Sequence, residues 1–364
     1  TNTSLNDVVT IGKSLAKTNP DVRQIKHGKT ILYQTKSRIK ISDYKNLNIR
    51  ASEAFEDNIN MTDEDWSRMY VPTLQRKRKR ISFFDEKNVW RLDLTEIMLI
   101  TDTEELQYEI ELEYVSKSKL IGIERIKSIF FNVLSNIQNS NHIISNSFGR
   151  QLITDYANLL KINPRYPKFV GPLPFTLTKD VFLEGKLSCG YSLTEKADGD
   201  RKLLFIGKSG LSLLISRPKD NDLMYQHVGF LPELEYSIFD GEFVNNTMYL
   251  FDTLIFKSKD MRDFPLDHRL LSLTHIPSNL KKLDINLLSK TFYFSQEGTV
   301  IKIENGKKTE QIDLDIYGMS ESLWKNKLKF PYKLDGLIYT PIMSNYYNSH
   351  IYKWKDIFCH QHRI

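Results

Sequence analysis

The chain has 364 residues, 40% of them hydrophobic and 12% aromatic, with a formal net charge of +6. That length supports two or three domains with cores of their own, and 18 Tyr with 20 Phe favour sheet-rich ones. Two Cys exclude a disulfide scaffold and fit a reducing compartment. The absence of a signal-peptide pattern and of an 18-residue apolar run argues against secretion and membrane spanning.

The positive balance permits a polyanionic partner without requiring one. No helix-turn-helix, zinc-finger or RNA-binding aromatic pattern accompanies it. The tail Cys359-His-Gln-His-Arg-Ile364 is assigned no ligand role.

Residues 1–30 read mostly as polar loop. Ile31 to Ile41 reads as a strand with Lys36, Arg38 and Lys40 on one face, and Leu47 to Phe55 as a second with Arg50 and Ser52 on its polar face. Acidic Glu53 to Trp66 predicts loop and a short helix. Leu74 to Phe84 puts Arg76, Arg78 and Arg80 on one face and Lys77 and Lys79 on the other. Asp85 to Asn88 predicts a hairpin turn. Val89 to Ile97 then returns, with Arg91, Asp93 and Thr95 on one side.

In Gln107-Tyr-Glu-Ile-Glu-Leu-Glu-Tyr114, Glu109, Glu111 and Glu113 share a face. Three aligned carboxylates repel, so they need solvent or a cation with basic neighbours. An exposed outer strand satisfies that, and so does a closed sheet lined with carboxylates and basic groups, which would hold a metal ion and a string of phosphates. Oxygen ligands favour Mg2+ or Mn2+.

This half resembles the triphosphate tunnel metalloenzymes, eight-stranded barrels that include RNA 5′-triphosphatases. The resemblance implies that Glu109, Glu111 and Glu113 hold the metal and that Arg50, Arg78 and Arg91 contact phosphate. Asp93 would join the charged network of the wall. The family's first Glu-x-Glu strand has no counterpart before Thr35, which places it upstream of Thr1 in a longer parent.

Lys119 to Asn139 carries apolar residues at helical spacing, and Gln151 to Ile162 predicts a second helix that stops before Asn163-Pro164. The domain boundary falls between about Ser140 and Lys168. Gly171-Pro-Leu-Pro174 begins a rigid lead-in to Thr194-Glu-Lys-Ala-Asp-Gly-Asp-Arg201, which is flanked by strand-like Gly190 to Thr194 and Leu203 to Ile206. A lysine at a buried strand edge loses hydration, which lowers its pKa and makes the amine nucleophilic. An ordinary surface turn accounts for the octet equally well on its own.

Later segments add Arg217-Pro218, then Tyr236 to Val244 as strand-turn-strand centred on Asp240-Gly-Glu242. They continue with Met248 to Phe256 carrying Asp252, Asp267-His-Arg269 at a helix start, Lys333-Leu-Asp-Gly-Leu-Ile-Tyr339, and Tyr352-Lys-Trp-Lys355. Together they supply an amine, carboxylates and cations for a triphosphate, the equipment for nucleotidyl transfer to lysine. The P-loop pattern, the alternative phosphate device, is absent.

In this order the segments resemble the covalent nucleotidyltransferase superfamily of mRNA capping guanylyltransferases and polynucleotide ligases, the octet matching the capping version. The resemblance implies that Lys196 takes GMP and that Arg201 holds the ribose and reacting end. Arg217 would contact nucleotide or phosphate, Glu242 the sugar or metal, and Phe251 would stack on guanine. Asp252 and Arg269 would support the site, and Lys333 would reach base or phosphate with Asp335 beside it as a metal ligand. Lys353 and Lys355 would bind the α-phosphate.

The fold class expected is α+β: an antiparallel tunnel-like β-barrel (1–140), a helical linker (141–168) and a nucleotidyltransferase domain with mixed antiparallel sheets (169–364), without the OB-fold domain that usually follows. The implied function is mRNA 5′ capping as in large DNA viruses, in the cytoplasm at a viral factory or in the virion. Its substrates would be 5′-triphosphate RNA and GTP, and its partner a downstream methyltransferase domain or a regulatory subunit. An ATP-dependent ligase and a non-catalytic RNA- or partner-binding fragment are the alternatives.

Overall fold

The computed structural model describes residues 2–16, 20–85, 89–100, 106–115, 123–217, 223–277, 280–347 and 350–355. The chain divides into two compact units, Thr1–Ile126 and Lys127–Ile364. The expected turn at Asp85 to Asn88 and the Cys359 tail lie largely or wholly outside the described residues.

The first unit holds β1 (Asn2–Ser14), β2 (Val22–His27), β3 (Thr30–Tyr44), β4 (Ile49–Ile59), β5 (Tyr70–Phe84), β6 (Trp90–Leu99) and β7 (Leu106–Tyr114), with α1 (Asp63–Met69) between β4 and β5. All pair antiparallel in the order β4-β3-β2-β1-β5-β6-β7. Asn2–Ser14 and Val22–His27 are therefore strands rather than loop: β1 is the middle strand and pairs with both β5 and β2. Its inward face carries charge as well as apolar groups, so the contrast between faces that reveals a strand in sequence is weak. Asp7, 6% exposed, receives two hydrogen bonds from Arg78 at 2.8 and 2.7 Å.

Two further expectations change. The sheet order ends at β4 and β7, with no pairing between them among the described residues, so the closure expected of a barrel is not seen there. Within it, burial pushes the Glu56 carboxyl on β4 up, but Lys36 and Arg23 win and hold it below its ordinary value. In β3 the ladder shifts between Arg38 and Lys40, which takes Lys40 off the face that Lys36 and Arg38 share. Helix α1 begins where Thr62 accepts a bond from the Asp65 amide. Its Trp66 packs with Val22, Tyr33 and Tyr70, a small apolar anchor in a unit whose interior is largely polar.

The second unit contains most of α2 (Ile123–Gln138), then α3 (Asn146–Leu159), β8 (Phe175–Thr176), α4 (Lys179–Leu183), β9 (Tyr191–Ala197), β10 (Asp200–Ile206), β11 (Leu211–Ser216) and β12 (Met224–Phe230). It continues through β13 (Ser237–Val244), β14 (Thr247–Phe256), β15 (Lys259–Asp260), α5 (Leu266–Leu271), β16 (Asn286–Ser289), β17 (Phe292–Gln296), β18 (Thr299–Glu304), β19 (Lys307–Ile312), α6 (Ile316–Lys325), β20 (Leu334–Pro341) and β21 (Tyr352–Trp354). One sheet runs β12-β11-β10-β13-β14-β15, with β16 parallel to β14. The other runs β19-β18-β17-β9-β20-β21-β8.

Apolar burial sets these layers. Leu152, Tyr156 and Leu160 of α3 and its C-cap pack on Leu203, Phe205 and Leu213 of the first sheet, so this helix belongs to the second core. Ile316, Met319 and Leu323 of α6 pack on Leu193, Val300 and Leu337 of the other sheet. Ala197, Tyr249, Tyr332 and Leu334 cluster where the sheets face each other. The segment Tyr236 to Val244 is not strand-turn-strand. Ser237–Val244 is one strand, irregular between Asp240 and Gly241, and the turn falls at Asn245 and Asn246, both at positive φ.

Candidate functional site

The octet Thr194–Arg201 is the point where the chain crosses between sheets. It ends β9 in one and begins β10 in the other, so Lys196 and Arg201 face a shared space from opposite walls. Lys196 Nζ donates to Asp335 Oδ2 at 2.5 Å, and Lys355 Nζ lies 2.5 Å from the same oxygen. Burial pushes the Asp335 carboxyl up, but the bonds from Lys196 and Lys355 win and hold it below its ordinary value. Gly336 makes this approach feasible. At φ +145°, a Cβ there would meet the Trp354 carbonyl oxygen at 1.9 Å and Lys355 Cα at 3.2 Å.

Behind Lys196 lies a buried network that sequence reasoning missed. Lys290, 7% exposed, donates to the Glu195 carbonyl at 2.8 Å and lies 3.8 Å from the Glu195 carboxylate. Tyr332 donates to that carboxylate at 2.7 Å. Burial pushes Lys290 down and Tyr332 up, the latter helped by Glu195. Lys196 itself is 23% exposed, and its buried neighbour is the Lys290 amine. Its signal was present: one charge inside the run Leu287-Leu-Ser-Lys-Thr-Phe-Tyr-Phe294. Glu242 is also pushed up by burial, opposed by Lys290, Lys196 and Arg201. Phe251 lies between two cations, its ring centre 5.6 Å from the Arg201 guanidinium carbon and 5.9 Å from Lys290 Nζ.

Arg201 is largely engaged by the protein. It donates to both Asp240 oxygens at 3.0 and 2.6 Å and to the Pro172 carbonyl at 2.6 Å. Tyr346 caps Asp240 at 2.5 Å. Gly171, at φ +155°, lets the lead-in approach: a Cβ there would sit 2.5 Å from Arg201 Nη2. Asp240, fully buried, and Tyr346 are further members that the sequence did not assign. Asp252 gives both oxygens to Arg269 at 2.7 and 3.0 Å, a buried pair that braces β14 against α5. Arg217 is exposed just past β11, Lys353 pairs across from Ile338, and Lys333 is exposed with Nζ 3.6 Å from Asp198.

In the first unit the charged faces do align. Arg80 contacts Asp93 at 3.2 Å and Glu111 at 2.9 Å, and Arg91 contacts Asp93 at 3.0 Å and Glu113 at 2.5 Å. Glu109 stands opposite Thr95 and is exposed. Arg50 is apart from this group, exposed and paired with Asp43 at 2.6 Å near the β3–β4 connection. Two buried atoms on this face, Arg76 Nε and Asp93 Oδ1, have no hydrogen-bond partner among the described residues.

Mg2+ or Mn2+ asks for several converging oxygens. Glu111 and Glu113 already accept arginine bonds, and Asp335 accepts two lysines. Among the described residues no three His, Cys, Asp or Glu side chains converge as a metal shell. Among the described residues as placed, neither unit presents a ready-made metal site.

Comparison with known proteins adds a second line. The model of the family "mRNA capping enzyme, catalytic domain" matches residues 137–357. The chain is 28% identical over 323 residues to the "Probable mRNA-capping enzyme" of Acanthamoeba polyphaga mimivirus, covering 75% of this chain and 26% of that protein. It is 25% identical over 271 residues to the mRNA-capping enzyme of African swine fever virus (isolate Warthog/Namibia/Wart80/1980), covering 71% and 29%. The chain thus spans between a quarter and a third of these relatives' length. The solved S. pombe Pct1 RNA triphosphatase overlaps 31% of this chain and 44% of that one at 18% identity and a TM-score of 0.25, too little to bear on the fold.

Proposed function

Because the chain belongs to the mRNA capping enzyme catalytic-domain family, we propose that its second unit is a guanylyltransferase. Lys196 attacks the α-phosphorus of GTP, a P–N bond forms, the bond to the β-phosphate oxygen breaks, and pyrophosphate leaves while the amine's proton passes to water. The 5′-diphosphate of an RNA then attacks the lysine-bound GMP, releasing the amine and forming GpppRNA. The observation that carries this is the convergence of Lys196, Asp335 and Lys355 within 2.5 Å contacts, beside an aromatic face at Phe251. Cations around the amine neutralise phosphate charge. Asp335 holds Lys196 and Lys355 until phosphate arrives. Lys353, on the same strand as Lys355's neighbours, adds charge. Lys290 offers a buried donor at the edge of a base stacked on Phe251. Arg201, held by Asp240, orients the reacting end through what remains of its donor set.

For the first unit we propose the preceding step, removal of the γ-phosphate from 5′-triphosphate RNA. Its support is the inward row of Arg78, Arg80 and Arg91 and the two unpartnered buried atoms, a donor and an acceptor left for a polar ligand. Within the same reading the enzyme works in the cytoplasm of an infected cell, on nascent RNA.

Incubation with α-labelled GTP or ATP followed by denaturing electrophoresis tests the centre. GTP is expected to label the full-length parent protein, and Lys196→Ala to abolish the label. Label from ATP alone would assign the centre to ligase chemistry, and an undiminished adduct in the variant would place the nucleophile elsewhere.

A further inference from the structure

Between α6 and β20 the chain reads Lys325-Asn-Lys-Leu-Lys-Phe-Pro-Tyr-Lys333, four lysines in nine residues with no acid. Helix α6 ends at Lys325, and Lys327–Lys329 make a single tight turn. The lysines are therefore presented along a rim. Lys325 pairs with Glu321 at 2.6 Å, but both side chains are about two-thirds exposed (70% and 67%), so solvent and salt leave the pair easily exchanged. Lys329 is exposed, and Leu328 before it is 93% exposed, an apolar side chain that contributes nothing to a core.

This rim connects to the centre on two sides. Lys327 Nζ sits 4.0 Å from the centre of the Trp324 ring. Trp324 meets Trp354 edge-on at 4.9 Å, and Trp354 lies between Lys353 and Lys355, the latter in contact with Asp335. At the other end, Lys333 reaches Asp198, two residues past Lys196. The rim is an outward continuation of the cations around the amine.

We propose that the Lys325–Lys329 rim is a docking ledge for the sugar-phosphate backbone of a single-stranded RNA whose 5′ end lies at Lys196. This rests on the reading that Lys196 passes a nucleotide to RNA. Lysines act as point charges on flexible stems, and contacts of that kind hold backbone phosphates without reading sequence. A substrate defined by its 5′ end rather than its sequence calls for that mode. Leu328 and Trp324 offer apolar surface to the first unpaired bases.

The test is the triple variant Lys325→Gln, Lys327→Gln, Lys329→Gln, with the exposed double variant Lys325→Gln, Lys329→Gln in case loss of the Lys327 contact to Trp324 disturbs folding. Binding of a short 5′-diphosphate single-stranded RNA is followed by fluorescence anisotropy across a salt series, and lysine–GMP formation is measured in parallel. Affinity is expected to fall about tenfold or more at ~0.1 M salt, and the slope of log K against log salt to become shallower by about 2 in the triple variant and about 1 in the double. Lysine–GMP formation from GTP is expected to stay at the wild-type level. Unchanged affinity and slope would overturn the ledge. So would a loss confined to a phosphoserine peptide probe, which would assign the surface to a protein partner. Wild-type chain that forms no lysine–GMP would refute the guanylyltransferase reading, while the binding series would still decide the ledge.

Discussion

The two units line polar surfaces with the same side chains but assemble them differently. In the first, partners are on adjacent strands of one ladder: Arg91 stands opposite Glu113, and Arg78 across from Asp7. In the second, partners come from distant stretches, with 139 residues between Lys196 and Asp335 and 95 between Lys290 and Glu195. A strand's two-residue period announces which residues share a face. It carries no information about which of two remote strands will meet. The β5–β7 part of the first surface was therefore legible from alternation, whereas the second needed the ordered set of segments that resembles a known superfamily.

Buried charge differs in the same sense. Arg269 is 1% exposed and relies on Asp252, whereas the Arg78–Asp7 pair leaves Arg78 13% exposed on a polar face. Asp252→Ala strands a guanidinium in a dry interior and is expected to cost about 3–5 kcal/mol, lowering the second unit's melting temperature by about 10 °C. Asp7→Asn is expected to cost about 2 kcal/mol, because Arg78 can turn to solvent or to its neighbours. Calorimetry of both variants checks the order. Equal losses would erase the contrast between a dry centre and a wet face.

What stayed hidden in the sequence has the same physical root. β1 was missed because a strand with polar groups on both faces gives no hydrophobic alternation, and its stabilising partner, Arg78, lies 71 residues away. Asp240 was seen but placed in a turn, since Asp-Gly is a strong turn signal. Burial against Arg201 and Tyr346 overrides that local preference. Lys290 was passed over because a lone lysine in an apolar run usually marks an edge, and nothing local reveals Glu195 beneath it. Conversely, β3 to β7 and the strands around the octet were readable, because each carries its own pattern.

A smaller effect separates the units by pH. The Asp335 carboxyl is held below its ordinary value by Lys196 and Lys355 against the upward push of burial. A depressed carboxyl contributes stability that is present above its unfolded pKa, about 4, and is lost as pH falls through the lower folded value. Asp335→Asn is therefore expected to be less stable than wild type by a constant amount between about pH 5 and 7, with the gap closing below about pH 4. Urea titrations at several pH values measure it. A gap that widens in acid would mean that the two lysines do not hold Asp335 in solution.

The smallest effect tests the edge of the first unit's charged face. Arg50 was grouped with Arg78 and Arg91 because the resemblance to the triphosphate tunnel enzymes implied that all three contact phosphate. In the fold, Arg91 bonds Asp93 and Glu113, while Arg50 is exposed and bonds Asp43 on the paired strand. If the inward row holds the 5′-triphosphate, Arg91→Ala should slow release of γ-phosphate from end-labelled RNA by about 100-fold, the scale of losing one preorganised charge contact. Arg50→Ala should leave that rate and the melting temperature unchanged, since exchanging an exposed pair for solvent alters little. A comparable loss in both variants would bring Arg50 into the phosphate site, which requires the β3–β4 end to fold inward when RNA binds.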